Sequence, residues 1–267
     1  MAVNIFEKYG IKEVANVYFE ALDNDPSNNI QKGDIVLYLD TLKVSTIETT
    51  AENVAAQGGW GNPKLVMWDY GKEINLTLED ALISLESLRF MMGGAIKRSA
   101  ANETVTVNLS EQAAIVEDGQ VPTLRDHLDA SVEYTLPEHY RWVNMTQGTR
   151  GQDAITDAKK GDIVRFFWTQ EVVEDDAAIE ITISPNTFPG TYKVVGDTFM
   201  RSEKTGKDEP FQFVIGKAKV LSEVTITLEA EGDPSTFEMQ LNVLRSTNER
   251  GENEMMKLIR YNAAELA

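Results

Sequence analysis

The sequence predicts a mainly β fold, an antiparallel β-sandwich or barrel with one flanking α-helix. Apolar and polar residues alternate with a period of two in about ten short segments, as in half-buried strands. A helical spacing of three and four is convincing in only one segment, residues 78–92. The chain has 267 residues, of which 42% are hydrophobic, so it can bury a sizeable core without staples. Many strands and one helix favour sheets packed on or closed around a core.

The alternation is clearest in the last two segments, residues 224–228 and 237–243. There Val, Ile, Leu, Phe and Met alternate with Thr, Glu, Gln and Asn, which indicates strands with one buried face. Gly232-Asp233-Pro234-Ser235 lies between them and predicts a hairpin turn. The same pattern predicts further strands at residues 14–22, 35–48, 64–69, 105–108, 163–169, 179–183, 192–195 and 211–215.

The one predicted helix runs from Leu78 to Met92, with its apolar stripe, including Leu85, facing the sheet. Thr77 suits the N-cap, because its hydroxyl can accept a hydrogen bond from a free amide of the first turn. Gly93-Gly94 suits the end, since glycine adopts the left-handed conformation that closes helices. A weaker helical pattern spans residues 51–56.

Composition excludes several classes of function. The chain contains no cysteine, which removes disulfides, thiol nucleophiles and Cys-based metal sites. The two histidines, His127 and His139, do not form a zinc-binding pair on one helix, and no nucleophile-elbow serine accompanies them. The 25 basic and 43 acidic residues give a formal charge of −18, which disfavours binding of DNA or anionic lipid. We therefore expect no catalytic, metal or cofactor site, and no enzyme activity.

Apolar segments of the length needed for export or membrane insertion are also missing. Residues 1–10 carry charged side chains early and show no signal-peptide core. The longest apolar run, residues 35–39, is far shorter than the ~20 residues that span a bilayer. We expect no membrane partner.

The glycine-rich segment Gly58-Gly59-Trp60-Gly61-Asn62-Pro63 is the nearest approach to a phosphate-binding loop. It lacks the Gly-Lys-Ser/Thr ending and precedes a predicted strand instead of a helix, so we interpret it as a tight connection. Acidic pairs are too abundant among 43 carboxylates to indicate a glycosidase, and a loose Ca²⁺ site stays open.

The four tryptophans could form a platform on which sugars stack, but core packing is their commoner role. Trp68 and Trp168 lie in strand-like segments, where one face must be buried, so we expect both in the core. Trp60 and Trp142 are the candidates for exposure.

A five-residue sequence, Lys-Gly-Asp-Ile-Val, occurs at residues 32–36 and again at 160–164, each time opening a predicted strand. Two similar turns explain it, and so does duplication of a half-domain. Residues 99–152 are the least patterned part of the chain, and form either long loops or a small insertion. We interpret residues 1–267 as a single domain with 99–152 as a loop-rich insertion.

Three separated stretches resemble the major tail tube proteins of tailed bacteriophages. They are residues 58–88 (GGWGNPKLVMWDYGKEINLTLEDALISLESL), 188–196 (FPGTYKVVG), and 228–244 (LEAEGDPSTFEMQLNVL). From about residue 14 to 245 the resemblance covers most of the chain, in order. It implies a virion structural protein that assembles with itself into hexameric rings, which stack into a tube whose inner barrel is continuous.

The resemblance further implies a location in the virion tail, assembled in the host bacterial cytoplasm, with other tail proteins such as sheath or baseplate as partners. DNA would pass through the lumen without specific binding. Two alternatives stay open: a ring protein that initiates or terminates the tube, and a β-sandwich carbohydrate-binding module or glycosidase.

Residues 48–63 follow the long first hairpin and are predicted to form an arm that contacts a neighbouring subunit. The assembly residues predicted on this arm are Glu48, Gly58, Gly59, Trp60, Gly61, Asn62 and Pro63.

Overall fold

The computed structural model describes residues 6–226, 236–248 and 250–262. It divides into two compact units. Unit 1 is built from the described parts of Met1–Ala95 and Ile181–Ala267, and unit 2 is Ile96–Glu180. The chain therefore leaves unit 1 once and returns to it, so unit 2 is enclosed in the sequence of unit 1.

The described elements are, in chain order, β1 (Tyr9–Ile11), β2 (Asn16–Ala21), a 3₁₀ turn (Pro26–Asn28), β3 (Ile35–Leu39), β4 (Leu42–Gln57), β5 (Lys64–Asp80), α1 (Leu85–Met92), β6 (Ala95–Arg98), β7 (Val105–Ala114), β8 (Leu124–Arg125), β9 (Glu133–Tyr134), β10 (Arg141–Asn144), β11 (Arg150–Gln152), β12 (Ile163–Val172), β13 (Ile179–Thr182), β14 (Thr191–Ser202), β15 (Asp208–Val220), β16 (Phe237–Val243), β17 (Ser246–Thr247), β18 (Asn253–Glu254) and β19 (Lys257–Arg260).

Unit 1 is organised around an antiparallel nine-stranded sheet with the strand order β3-β2-β14-β15-β16-β5-β4. β1 adds to β14, and β19 adds to β15. Alternate side chains of the strands face one core, which includes Val17 and Phe19 of β2 and Leu76 and Leu78 of β5. The predicted fold class is confirmed: the protein is mainly β, its sheets are antiparallel, and the described residues contain one α-helix.

The helix is shorter than predicted, because it begins at Leu85 and not at Leu78. Residues 74–80 alternate between the core and the opposite face, so their period is two and they belong to β5. The N-cap is Ser84 instead of Thr77: its Oγ accepts a hydrogen bond from the Ser87 amide at 3.0 Å. The predicted end is correct, since Gly93 adopts φ +67° and a Cβ there would lie 2.5 Å from the backbone of Phe188.

Two further predictions of local structure are wrong. Residues 51–56 are not helical but belong to β4, where they pair with β5. Residues 224–226 are not in a strand, and the rest of that predicted strand lies outside the described residues, as does the turn at 232–235. The strand predicted at 237–243 is confirmed as β16.

Unit 2 contains a four-stranded antiparallel sheet with the order β11-β10-β12-β7. Phe166, Trp168 and Val164 of β12 and Trp142 of β10 point to one side and form a second, separate core. Residues 99–152 contribute β7 to β11 to this unit. Buried and exposed residues alternate regularly along β12 from Ile163 to Trp168, as expected for a sheet with one covered face.

The two Lys-Gly-Asp-Ile-Val turns have the same geometry although they lie in different units. Gly33 and Gly161 both adopt φ +94°, which favours glycine. Asp34 and Asp162 each accept a hydrogen bond from the amide three residues earlier, at 2.7 and 2.8 Å. The shared sequence therefore encodes the same strand-opening turn in each unit.

The packing of α1 predicts which of its residues stabilise unit 1. The ring of Phe90 is buried, with its centroid 4.8 Å from that of Phe19 and 4.4 Å from that of Tyr192. We expect Phe90→Ala to lower the free energy of unfolding by about 3–5 kcal/mol, through lost contacts and the cavity that remains. The expectation that Leu85 faces the sheet is wrong, because its side chain is 47% exposed. It is therefore the matched control on the same helix, and Leu85→Ala should cost less than about 1 kcal/mol. Urea denaturation followed by circular dichroism measures both, and equal losses would contradict this packing.

Candidate assembly surface

The hairpin of β4 and β5 extends beyond the sheet to which it belongs. β5 pairs with β16 only from Asn75 to Asp80, whereas β4 pairs with β5 along most of its length. Every residue of β5 from Lys64 to Glu73 is exposed. Residues 50–73 thus form a two-stranded extension of the sheet, in which β4 and β5 pair with each other beyond the end of β16, and which we call the arm.

A bulge marks the point where the arm leaves the sheet. Thr50 lies opposite Glu73 and Glu52 lies opposite Tyr70, so β5 carries one more residue than β4 between these pairs. Gly71 lies in the bulge at φ +60°, a conformation that glycine adopts without steric cost. Because a bulge bends and twists a strand pair, it sets the direction in which the arm leaves unit 1.

The glycine-rich segment forms the tip of the arm. The amide of Gly58 donates to the carbonyl of Pro63 at 3.2 Å, and the amide of Asn62 donates to the carbonyl of Gly59 at 3.1 Å. The tip joins two strands, and this is the geometry of a hairpin connection. Trp60 is fully exposed at its apex.

The structure places the predicted assembly residues at the two ends of the arm. Glu48 lies in β4 opposite Asn75, next to the base, and the other six form the tip. Residues 48–57 belong to β4, so the segment predicted as an arm, residues 48–63, begins within a strand and not after it. The prediction from sequence does not include the second strand of the arm, in β5. Its signal in the sequence is Leu65-Val66-Met67-Trp68, a continuous apolar run of the kind found in strands covered on both faces.

In its half near the tip, the arm carries apolar side chains on both faces. Val54 lies opposite Trp68, and Ala56 opposite Val66, on one face. Met67 lies opposite Ala55 on the other face. The large side chains among these, together with Leu65 and Tyr70, are each at least half exposed. A contiguous exposed apolar surface of this kind is typical of an interaction site.

The tryptophan assignments from sequence are half correct. Trp168 is buried and Trp60 is exposed, as expected. Trp68 is 55% exposed, because it lies on the arm where no second layer covers the strands. Trp142 is 4% exposed, because it points into the core of unit 2, where its Nε1 donates to the carbonyl of Ala154 at 2.9 Å.

Among the described residues, one cluster of side chains could by its chemistry hold a metal ion. It lies in unit 2 and consists of Glu111, Asp126 and His127. Their atoms are engaged within the protein. His127 Nδ1 lies 2.8 Å from a Glu111 carboxylate oxygen, and this contact raises the pKa of His127. Asp126 accepts hydrogen bonds from the Tyr134 hydroxyl and from two backbone amides, which lower its pKa. The arrangement connects the loop around residue 127 to β7.

Asp162 anchors the turn that opens β12. One of its carboxylate oxygens accepts hydrogen bonds from the Lys159 amide and the Asn144 side chain, both at 2.8 Å, and from the Gln147 side chain. The Lys159 amide and the Asn144 side chain lower the pKa of Asp162 most. Asp34, its counterpart in unit 1, is exposed and accepts from the Gln31 amide. The shared turn is therefore reinforced by side chains in unit 2.

Comparison with known protein families assigns nearly the whole chain to one family. The model of the YomU/Tube protein family matches residues 9–257, which is most of the sequence. The chain belongs to the YomU/Tube family. This is a phage tail tube-like family, so the resemblance found in the sequence is confirmed. The comparison with curated proteins gives no match.

Membership in the YomU/Tube family indicates a structural protein of a phage tail, with self-assembly and other tail proteins as its interactions. It also indicates a non-enzymatic role. No helix in the described part of the chain is long and apolar enough to cross a membrane.

The hydrogen bonds of Asp162 predict a specific dependence on pH. We expect Asp162→Asn to destabilise unit 2 at pH 7, because charge-assisted hydrogen bonds become neutral ones. Since the folded-state pKa lies below the ordinary value of 3.8, the contribution is complete above that value and is lost as the pH falls through the folded pKa.

Thermal unfolding of the wild type and Asp162→Asn between pH 7 and pH 2.5 checks this expectation. The difference in melting temperature should be present at pH 7 and should shrink as the pH falls toward the acidic end. Asp34→Asn, in the matching turn of unit 1, is the control and should shift melting less. A pH-independent difference would exclude the carboxylate charge as the cause.

Proposed function

We propose that this protein is the tail tube subunit, which assembles into hexameric rings that stack into the conduit for DNA ejection. Membership in the YomU/Tube family over residues 9–257 supports the tube assignment. The exposed apolar side chains of the arm are the main structural support for self-assembly. A two-stranded hairpin is marginally stable by itself in water, so an arm that exposes apolar side chains on both faces needs a partner surface.

The edges of the nine-stranded sheet support closure into a ring. β3 and β4 lie at the two ends of the strand order, and each has one edge that no described strand pairs with. Unpaired edges promote uncontrolled association unless something covers them. Pairing of β3 or β4 with a neighbouring copy would extend the sheet around a ring and leave no free edge at that joint.

The charge of the chain suits a conduit for DNA. Each subunit carries a formal charge of −18, and six subunits carry six times as much. Carboxylates that line a lumen repel phosphates and so keep DNA from adhering during passage. The same net charge opposes assembly, so attractive contacts between subunits must exceed this repulsion.

Negative-stain electron microscopy of the purified full-length protein, with its sedimentation profile, tests the proposal. Hollow tubes or six-fold rings are expected. Rings that never stack would favour a protein that initiates or terminates the tube. A monomer at all concentrations would contradict self-assembly, and glycan binding by that monomer would favour the carbohydrate-binding alternative.

Substitutions on the arm test its role in assembly. Trp68→Thr and Met67→Thr each remove an exposed apolar side chain from a different face and keep a strand-forming residue. We expect each to raise the concentration needed for assembly by about tenfold or more, because contact area is lost. Melting of the dissociated monomer should change little, since both side chains are more than half exposed.

Leu128→Thr is the control for these variants. Leu128 is also strongly exposed, but it lies in unit 2 and is not part of the arm. Replacing residues 52–70 by an Asn-Gly turn gives the complementary variant, which should fold and remain unassembled. Tubes formed by that variant at wild-type concentrations would eliminate the arm as an assembly element.

A further inference from the structure

The outer face of the unit 2 sheet concentrates arginine in an acidic protein. The core side of this sheet is covered, and the opposite side is exposed. Two cross-strand rows run over the exposed side. One row is Gln152, Arg141, Phe167 and Ser110, and the other is Arg150, Val143, Arg165 and Gln112. We call this surface the arginine face.

The three arginines of this face have no ion-pair partner among the described residues. Among the exposed positions of the four strands, one carboxylate is present, that of Glu171 near the end of β12. Phe167, which lies between Arg141 and Ser110, is 39% exposed. Of the three arginines, Arg141 lines a hollow of about 720 Å³, together with Phe167 of the face and with His139 and Asp153 beside it. This combination of guanidinium groups and an aromatic ring is suited to a carboxylate-rich protein surface.

Unit 1 carries a surface of the opposite character. Glu79 of β5 lies directly opposite Glu238 of β16, and like charges in that position destabilise a strand pair. Glu223 joins them, with Thr225 and Gln240, around a cleft of about 360 Å³. No described basic side chain forms an ion pair with these three glutamates. We call this surface the glutamate cleft.

We propose that the arginine face of one copy binds the glutamate cleft of the next copy in the assembly. The inference rests on the proposed self-assembly, and identifies a pair of surfaces that takes part in it. Copies that each carry −18 repel one another, so a contact needs local charges of opposite sign. Arginine forms paired hydrogen bonds with carboxylates, and it would also relieve the repulsion between Glu79 and Glu238.

The symmetry of the contact agrees with a ring or a tube. The two surfaces differ and lie on different units of the chain, so the contact is head to tail. A head-to-tail contact propagates from copy to copy and either closes into a ring or continues as a filament. It is also independent of the arm, because neither surface includes residues 50–73.

A charge-swap experiment on the full-length chain tests this pairing. One variant reverses the face (Arg141→Glu with Arg165→Glu), and a second reverses the cleft (Glu223→Arg with Glu238→Arg). Each should raise the concentration needed for assembly by about tenfold or more, because like charges then meet. The chain carrying all four substitutions should assemble within about threefold of the wild type, since opposite charges meet again.

The matched control is Arg98→Glu with Arg125→Glu. These two arginines are also exposed in unit 2 and are paired with Asp176 and Glu133, outside the arginine face. The control makes the same change in net charge as the face variant, and should assemble like the wild type with the loss of only weak surface pairs. Circular dichroism and thermal melting of each variant establish that it is folded.

Assembly readouts by electron microscopy and sedimentation separate the outcomes. Restoration by the four-fold swap supports the pairing. A face variant that assembles like the control overturns it, and so does a cleft variant that assembles like the wild type. Loss of binding to DNA or to an anionic polysaccharide by the face variant, with assembly unchanged, also overturns it in favour of a polymer ligand. A wild-type chain that never assembles refutes the proposed function itself.

Discussion

The register of β5 is the constraint on which the rest of the structure depends. Within one strand, residues 74–80 alternate into the core of unit 1, while residues 64–73 lie outside it. A slip by one residue would turn Leu76 and Leu78 toward the opposite face, so burial of these residues fixes the register. The core thereby also fixes which side chains share a face of the arm, and the bulge at Gly71 sets the direction of the arm. Because β5 runs without a break from the core of unit 1 into the arm, folding of the core also positions the proposed assembly surface.

The two units divide the physical tasks of the chain. Unit 1 contains the large sheet, its open edges, the helix and the arm. Unit 2 has its own core and a turn reinforced by Asp162, and it presents the arginine face. An acidic subunit that assembles with itself has to localise its attractive contacts, because its net charge is repulsive at long range. In the proposed assembly, apolar side chains on the arm and arginines on the unit 2 sheet would supply two chemically different attractive contacts, and they lie on different units.

The helix shows where sequence periodicity is ambiguous. Leu78, Leu82 and Leu85 match a helical spacing, but Ile74, Leu76 and Leu78 match a strand equally well. Pairing with β16 on one side and β4 on the other decides in favour of the strand up to Asp80. The end of the helix was predictable, because only glycine fits both the left-handed conformation at residue 93 and the close approach of Phe188. Local chemistry therefore determined the end, and long-range pairing determined the beginning.

By itself, the sequence determined the fold class, the absence of cysteine chemistry, the acidic charge and the strands with clear alternation, such as β16. These properties follow from composition and from short-range periodicity. The tertiary structure decided that Trp68 is exposed and Trp142 buried, because burial depends on whether a second layer covers a strand. It also decided that Arg141 and Arg165 share a face, although 24 positions separate them, since their strands are neighbours in the sheet. Surfaces that assemble a chain are made of residues distant in sequence, and only the pairing of strands brings them together.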